Sequence, residues 1–257
     1  MEQRALARST KTMLALAWLV VVAGLAGLGG WQLERAESKE RVLATHRGAA
    51  QQPAVDLNAV LERGVALDAE ALKFRAAVVR GSWVANRSFL LDNRRHDGRL
   101  GFEVLSPVAV DGTGSWVLVN RGWIPAAGYS ATGRVLPNPP PPPVGATTLS
   151  GELVVPPGGL FVDAVTRQGL SAALPWPRLA QYVDLTVMSE LLSRPLLPLV
   201  LRLDPQQPGG FTRDWVVIAS GVRPGRHVAY AFQWFALAAT AALIPPILWL
   251  RQRRYRR

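Results

Sequence analysis

Two long apolar stretches, one near each end of the chain, dominate the pattern of hydrophobic and polar positions. They cover residues 13–33 and 227–250, and each exceeds the about 20 residues that a helix needs to cross a bilayer. Because backbone groups inside lipid have no water to bond, both stretches are predicted to be helices. The pattern therefore predicts a hairpin of two transmembrane helices that encloses residues 34–226.

The enclosed region has a different pattern, in which short runs rich in Val, Leu, Phe and Trp are separated by turn residues. Such runs are typical of an antiparallel meander. Strands are predicted at 73–83, 88–93, 100–110 and 115–124, and farther along at 147–155, 196–203 and 214–219. Pro198 lies in the sixth of these strands. Because proline cannot donate to a strand ladder, we expect that strand at a sheet edge.

Charges and prolines refine this outline. Opposite charges three and four residues apart in 34–41 can support a helix that continues out of the membrane. The proline-rich run 137–144 is expected to be extended and exposed, and the double proline at 245–246 is expected to kink the second span. Between residues 182 and 193, apolar residues at helical spacing follow Asp184, so a short helix is predicted there. The whole pattern predicts an α+β membrane protein whose hairpin carries a β-rich extracytoplasmic domain.

Charges at the two chain ends predict the orientation of the hairpin. Three basic residues lie in the tail 1–12, and five arginines lie in the tail 251–257. By the positive-inside rule both tails are cytoplasmic, and the domain 34–226 lies outside. The formal net charge is +11, and the tails account for more of it than the enclosed region does. Membrane orientation and anionic lipid headgroups explain this excess, so no nucleic-acid partner is expected.

A cleaved signal peptide is the alternative interpretation of the first span, because a basic start, an apolar stretch and small residues are all present. The stretch is longer than the about 7 to 15 residues of a signal core, and it lacks a clear cleavage site. We therefore expect a retained span. The short tail before it leaves no room for a typical transit peptide, which favours the inner (plasma) membrane of a bacterium over a mitochondrial membrane.

Few residues suit catalysis. The patterns HExxH, GxSxG, Walker A and GxGxxG are absent, and the three histidines are far apart in the sequence. The chain has no cysteine, which excludes a thiol-based metallochaperone. The densest polar cluster, 92–97, has the composition of a solvated hairpin turn. The sequence therefore predicts a protein that is not an enzyme.

The start of the second span carries residues that suit a flat apolar cofactor. On a helical wheel, His227, Tyr230 and Trp234 share one face with the small residues Ala231 and Ala238. Imidazole is a usual ligand of haem iron, and aromatic rings can flank a macrocycle. The alternative is an interfacial aromatic belt in which His227 caps the helix in water, and spacing alone favours this alternative.

Small residues in the first span offer a matching surface, which consists of Gly24, Gly27, Gly29 and Gly30 with Ala23 and Ala26. Ala23 with Gly27, and Ala26 with Gly30, form small-xxx-small pairs that allow close approach of a second helix. The surface suits a cofactor slot or ordinary packing between the spans, and composition alone gives the cofactor slot no advantage.

Four motifs occur in order along nearly the whole chain. They are Gly30-Trp31-Gln32-Leu33-x-Arg35-x-x-x-Lys39, Gly98-x-x-Gly101-Phe102-x-Val104-x-x-Pro107, Val117-Leu118-Val119-Asn120-Arg121-Gly122-Trp123-Ile124-Pro125 and His227-x-x-Tyr230-Ala231-x-Gln233-Trp234-Phe235. Together they resemble the motifs of the Surfeit-locus family of cytochrome c oxidase assembly proteins. The resemblance implies a non-enzymatic chaperone of respiratory-chain biogenesis. Its expected partners are the catalytic subunit of cytochrome c oxidase and other oxidase assembly or haem a synthesis proteins.

The resemblance also implies a cofactor and a site. Bacterial members of this family are similar to haem a binders, and the histidine proposed as their iron ligand corresponds to His227 here. Tyr230 and Trp234 are then expected to flank the ring, and Arg223 and Arg226 to pair with its propionates. The segment 223–226 before His227 differs from the asparagine-rich segment that many members have at this place.

Two alternatives stay open on this basis. The motif 120–122 is either a strand-end turn or a contact for haem or a partner. The protein is either a haem a binder or a structural chaperone of the oxidase subunit that carries no cofactor.

Overall fold

The computed structural model describes residues 2–64, 66–130, 133–156, 175–215 and 224–255. Two compact units make up the chain, one formed by Met1–Ala44 with Val216–Arg257 and the other by Thr45–Trp215. In chain order the elements are α1 (Glu2–Ala50), β1 (Val55–Asp56), α2 (Leu57–Glu62), β2 (Ala76–Trp83), β3 (Phe89–His96), β4 (Arg99–Val110), β5 (Trp116–Pro125), β6 (Tyr129–Ser130), β7 (Gly133–Arg134), β8 (Ala146–Val154), β9 (Arg178–Ala180), α3 (Leu185–Leu192), β10 (Leu196–Leu203) and α4 (Pro224–Tyr255).

Two long helices form the first unit. Helix α1 and helix α4 each contain a stretch long and apolar enough to cross a membrane. Both helices extend beyond the apolar stretches that predict them. Helix α1 continues without a break through the charged segment 34–41, as its alternating charges indicate. Helix α4 is also continuous through Pro245 and Pro246. We refer to α1 and α4 as the helix pair.

Each helix of the pair presents a stripe of less exposed residues at spacings of three and four. The stripe on α1 consists of Trp18, Val22, Leu25, Gly29 and Gln32, and the stripe on α4 consists of His227, Ala231, Trp234, Ala238 and Ala241. Contacts between Gln32 and His227 and between Trp18 and Ala241 show that the helices run antiparallel. Such spacing is typical of left-handed coiled-coil packing.

The second unit is built on a mixed sheet in the order β1-β2-β8-β10-β5-β4-β3-β9. Strand β4 pairs with β3 along its first part and with β2 along its last part. The pairing of β2 with β4 closes β2, β8, β10, β5 and β4 into a five-strand ring. Alternate residues of all five strands contribute to one apolar core, which includes Val79, Val108, Val119, Leu149 and Leu201. The core therefore lies inside the ring.

The α+β fold class predicted from the sequence is confirmed, and six of the predicted strands correspond to β2, β3, β4, β5, β8 and β10. The meander is confirmed only for β3, β4 and β5, which pair antiparallel in chain order. Strand β2 pairs with β8 and β4 instead of β3. In the predicted strand 214–219, residues 214 and 215 are not in a strand, and 216–219 lie outside the described residues.

The expectation that Pro198 lies at a sheet edge is wrong. Strand β10, which contains it, lies between β8 and β5. The ladder with β5 is interrupted between Leu196 and Val200, and the ladder with β8 begins at Val200. Pro198 falls in this interval, so its missing N–H costs no ladder hydrogen bond. An irregular strand start, rather than an edge, accommodates the proline.

The short helix predicted near residue 184 is confirmed as α3. The side chain of Asp184 caps it by accepting hydrogen bonds from the backbone N–H groups of Thr186 and Val187 at 3.0 and 3.1 Å. Met188 and Leu192 are buried in a second apolar cluster with residues of β3, β4, β5 and β10. This cluster uses the opposite side of those strands from the core, so α3 packs on the outside of the ring.

Candidate cofactor-binding site

The histidine predicted as an iron ligand is held by a residue of the other helix. Nδ1 of His227 lies 2.7 Å from Oε1 of Gln32. Because an amide oxygen can only accept, the imidazole donates its Nδ1 proton in this bond. Nε2 of the same ring is buried and has no hydrogen-bond partner among the described residues. In a neutral ring with the proton on Nδ1, the lone pair lies on Nε2, the form in which imidazole ligates a metal.

The remaining predicted site residues differ in their surroundings. Ala231 and Ala238 are buried and Trp234 is half-buried, whereas Tyr230 is 48% exposed. The two alanines are therefore already covered rather than open to a flat ligand. Arg226 is exposed. Arg223, which the resemblance also implicated, lies outside the described residues.

Close approach of the two helices occurs at Gly29, one of the four glycines of the first span, and not at Gly27 or Gly30 of the small-xxx-small pairs. A Cβ atom on Gly29 would lie 2.7 Å from the ring of Phe235. No described atom lies within 4 Å of the corresponding position on Gly27 or Gly30. The reason is that the stripe of α1 that faces α4 runs through Gly29, whereas Gly27 and Gly30 lie off this stripe. The small-xxx-small pairs are thus not the contact surface within the pair.

Gln32 and Phe235 are the contacts that reasoning from the sequence missed. Both stand in the motifs quoted above, Gln32 at the end of the first span and Phe235 at the end of the last motif. A signal existed for Gln32, because an uncharged amide in an apolar span is expected to find a partner. Its partner could not be read from the chain, since His227 is far away in sequence.

The motif Asn120-Arg121-Gly122-Trp123 forms a β-bulge in β5. Glu103 pairs with Trp123 and Leu105 with Asn120, so β5 has one residue more than β4 in this interval. Gly122 has φ 109°, and a Cβ atom there would meet the carbonyl oxygen of Thr212 at 2.5 Å. Only glycine suits this position, because the backbone conformation and the close approach both exclude a side chain.

Arg121, at the centre of the bulge, is buried in the second unit. Its Nε donates to the carbonyl oxygen of Gly209 at 2.7 Å and its Nη1 to that of Pro140 at 3.1 Å. The guanidinium also lies 4.6 Å from the centroid of the Phe211 ring. Burial lowers the pKa of Arg121 to about 10. Arg121 therefore fixes the proline-rich segment and the 209–212 segment to the ring, which favours a structural role for this motif.

Of the polar cluster 92–97, whose composition predicts a hairpin turn, residues 92–96 belong to β3 and only Asp97 lies in the turn to β4. Asp97 and Gly98 have positive φ between β3 and β4, as a two-residue hairpin loop requires. His96 Nε2 lies 3.4 Å from Asp97 and 3.5 Å from Asp214. Among the described residues no group of three or more His, Asp or Glu could hold a metal ion.

The second unit also contains a shallow cavity of about 210 Å³, partly lined by Trp176 and Asn138. This cavity is remote in sequence from every predicted site residue.

The fold and the site define a class of protein. Its members combine a closed β domain with two helices long and apolar enough to cross a membrane, and the two helices bring a histidine, whose Nε2 is unpaired within the part of the chain that the structure describes, beside a glutamine. The SURF1 family model matches residues 19–239. The chain therefore belongs to the SURF1 family.

Individual relatives agree with this membership. The chain is 28% identical to an uncharacterized SURF1-like protein of Mycobacterium bovis over 84% of this chain and 74% of that protein. It is 32% identical to a SURF1-like protein of Dictyostelium discoideum over 38% of this chain and 37% of that protein. It is 27% identical to the cytochrome oxidase assembly protein SHY1 of Saccharomyces cerevisiae over 38% of this chain and 24% of that protein. The chain thus spans well under half of the last two relatives.

Proposed function

We propose that this protein is an assembly factor for haem-copper cytochrome c oxidase that binds haem a as cargo through Nε2 of His227. The observation that carries the proposal is the hydrogen bond from Nδ1 of His227 to Gln32, which leaves Nε2 without a partner among the described residues. Family membership and the name of the yeast relative support the assembly role. The haem is delivered to the catalytic subunit of the oxidase, with which the protein interacts in the membrane.

The residues present fit a haem ligand. Imidazole is the commonest axial ligand of haem iron, and its other nitrogen is usually hydrogen-bonded, as it is here. Trp234 lies on the same stripe as His227, and Tyr230 lies half-exposed one turn away. Arg226 is exposed and offers a guanidinium for a propionate. Because Nε2 is buried in this structure, haem binding requires the two helices to separate locally near His227.

The proposed location follows from the flanking charges. Basic residues in both tails favour a cytoplasmic position for both termini. His227 then lies at the outer surface of a bacterial inner membrane, and the β domain lies outside the cytoplasm.

The test of the cargo is the haem content of a His227→Ala variant. The full chain is purified from cells that make haem a, and its visible spectrum is compared with that of the wild type. We expect loss of the haem bands in the variant. The matched control is His96→Ala, which removes a histidine of the β3–β4 hairpin and is expected to keep the haem content. Equal haem content in wild type and His227→Ala would contradict the ligand assignment.

A structural chaperone without cofactor is the second candidate. The observation that favours it is the buried state of Nε2, Ala231 and Ala238, which leaves no open slot among the described residues on this face of α4. In that case the oxidase subunit co-purifies with His227→Ala at an undiminished yield. Loss of the subunit together with the haem would favour the cargo function.

A further inference from the structure

The amide of Gln32 occupies a position where a polar side chain is costly. It lies near the end of an apolar span, on the stripe of α1 that faces α4. A polar group in such surroundings needs a partner, because neither lipid nor packed apolar side chains supply one. Its oxygen meets Nδ1 of His227 at 2.7 Å, a short and direct hydrogen bond. The pair is thus specific, and each residue provides the group that the other requires.

The direction of this hydrogen bond determines where the ring holds its proton. The neutral imidazole has one N–H and one lone pair, and the hydrogen bond made by one nitrogen fixes the state of the other. An isolated histidine favours the proton on Nε2. An acceptor at Nδ1 reverses that preference, so the lone pair moves to Nε2. Gln32 therefore selects the tautomer in which Nε2, and not Nδ1, can ligate iron.

We infer that Gln32 is a positioning residue for His227, which holds the imidazole as its Nδ1–H tautomer and thereby makes Nε2 the iron-ligating atom. This inference rests on the haem-binding function proposed above. It gives the Gly-Trp-Gln-Leu motif of the first span a chemical role, which is to set the tautomer of His227 in the second span. It also explains why the two motifs occur at opposite ends of the chain, since the antiparallel arrangement of the helices places Gln32 beside His227.

The first experiment needs no haem. Full-length protein labelled with ¹⁵N-histidine is placed in nanodiscs without haem, and the ring ¹⁵N shifts of His227 are assigned by comparison with His227→Gln. We expect the Nδ1–H tautomer in the wild type and a shift to Nε2–H in Gln32→Leu. Gln32→Glu keeps an acceptor at the same position and should keep the Nδ1–H tautomer. Gln233→Leu, an exposed glutamine of α4, is the matched control and should leave the shifts unchanged.

The second experiment measures binding of haemin by the same variants through its Soret absorbance. We expect Gln32→Leu to weaken the affinity by about 10- to 100-fold, the usual effect of removing a partner of a ligating histidine. Gln32→Glu should restore the affinity and lower the reduction potential of the bound iron, because a carboxylate makes the imidazole a stronger donor.

The outcomes separate this inference from the proposed function. The same tautomer in wild type and Gln32→Leu would overturn the inference, and so would an affinity for haemin that Gln32→Leu leaves unchanged. If Gln32→Leu shifts the tautomer as expected but the wild-type protein binds no haemin, the cargo function would be overturned. The effect of Gln32 on the ring would still be supported.

Discussion

Trp18 donates its indole N–H to the carbonyl oxygen of Ala241 at 3.0 Å. In a regular helix that carbonyl accepts from the backbone N–H four residues later, but the residue there is Pro245, which has none. The side chain of α1 therefore supplies the donor that the backbone of α4 lacks. In a lipid environment an unsatisfied carbonyl is costly. The contact explains how a proline can stand inside a continuous apolar helix.

A double-mutant cycle tests this compensation. Trp18→Phe should lower the free energy of unfolding by about 1 kcal/mol, because it leaves the Ala241 carbonyl without a donor. In a Pro245→Ala background the backbone N–H of residue 245 bonds that carbonyl, so the hydrogen-bond part of the Trp18→Phe cost should vanish. The measurement is denaturant unfolding of the full chain in detergent micelles. An equal cost in both backgrounds would mean that Trp18 contributes only packing.

Gly29 should be the position in α1 that is most sensitive to added volume. A leucine there must displace the ring of Phe235, and we expect a loss of about 1–3 kcal/mol in the free energy of unfolding. Gly30→Leu is the control, because no described atom lies within 4 Å of its Cβ position. The comparison uses the same micelle unfolding assay. Because leucine favours a helix more than glycine does, Gly30→Leu should cause no such loss, and a similar loss for both variants would show that contact with Phe235 does not set the cost.

Arg121→Lys should weaken the second unit although it keeps the charge. An ammonium group cannot span the carbonyl oxygens of Gly209 and Pro140 with the fork geometry of a guanidinium. We expect a loss of about 2 kcal/mol, since at least one hydrogen bond from a charged donor is removed. Unfolding followed by tryptophan fluorescence measures it. Arg202→Lys is the control, because Arg202 is less buried and its ion pair with Glu152 is long at 3.5 Å.

The contribution of Arg121 to the free energy of unfolding should depend on pH with a defined sign. The pKa of Arg121 is lowered to about 10 in the folded chain by burial, so above that pH the native state binds fewer protons than the unfolded state. Stability relative to an Arg121→Met variant should then rise with pH, by at most about 1.4 kcal/mol per pH unit. Below pH 9 the difference should be flat. A difference that changes between pH 6 and 9 would contradict the assignment.

The cap of α3 offers a simpler check of local structure. Asp184→Ala removes the acceptor of the N–H groups of Thr186 and Val187, and we expect a loss of about 1 kcal/mol. Asp184→Asn keeps an acceptor oxygen and should recover most of the loss. If the alanine and asparagine variants were equally stable, the cap would contribute nothing measurable.

Much of the fold follows from local signals. The apolar stretches predict the long helices, because length and hydropathy are properties of one segment. Opposite charges three and four residues apart predict the extension of α1, and apolar runs between turn residues predict the positions of six strands. Asp184 followed by apolar residues at helical spacing predicts α3. His227 is recognisable as a candidate ligand because its residue type and its neighbours suit that chemistry.

Other features depend on which segments meet, and no local signal specifies that. Closure of the ring requires β2 to pair with both β8 and β4, and Pro198 is tolerated inside the sheet because the ladders around it are interrupted. Likewise, the sequence determines that Gln32 and His227 are polar residues in apolar spans. Only the antiparallel packing of the two helices decides that they bond to each other, because a hydrogen bond requires two groups within about 3 Å, whatever their separation along the chain.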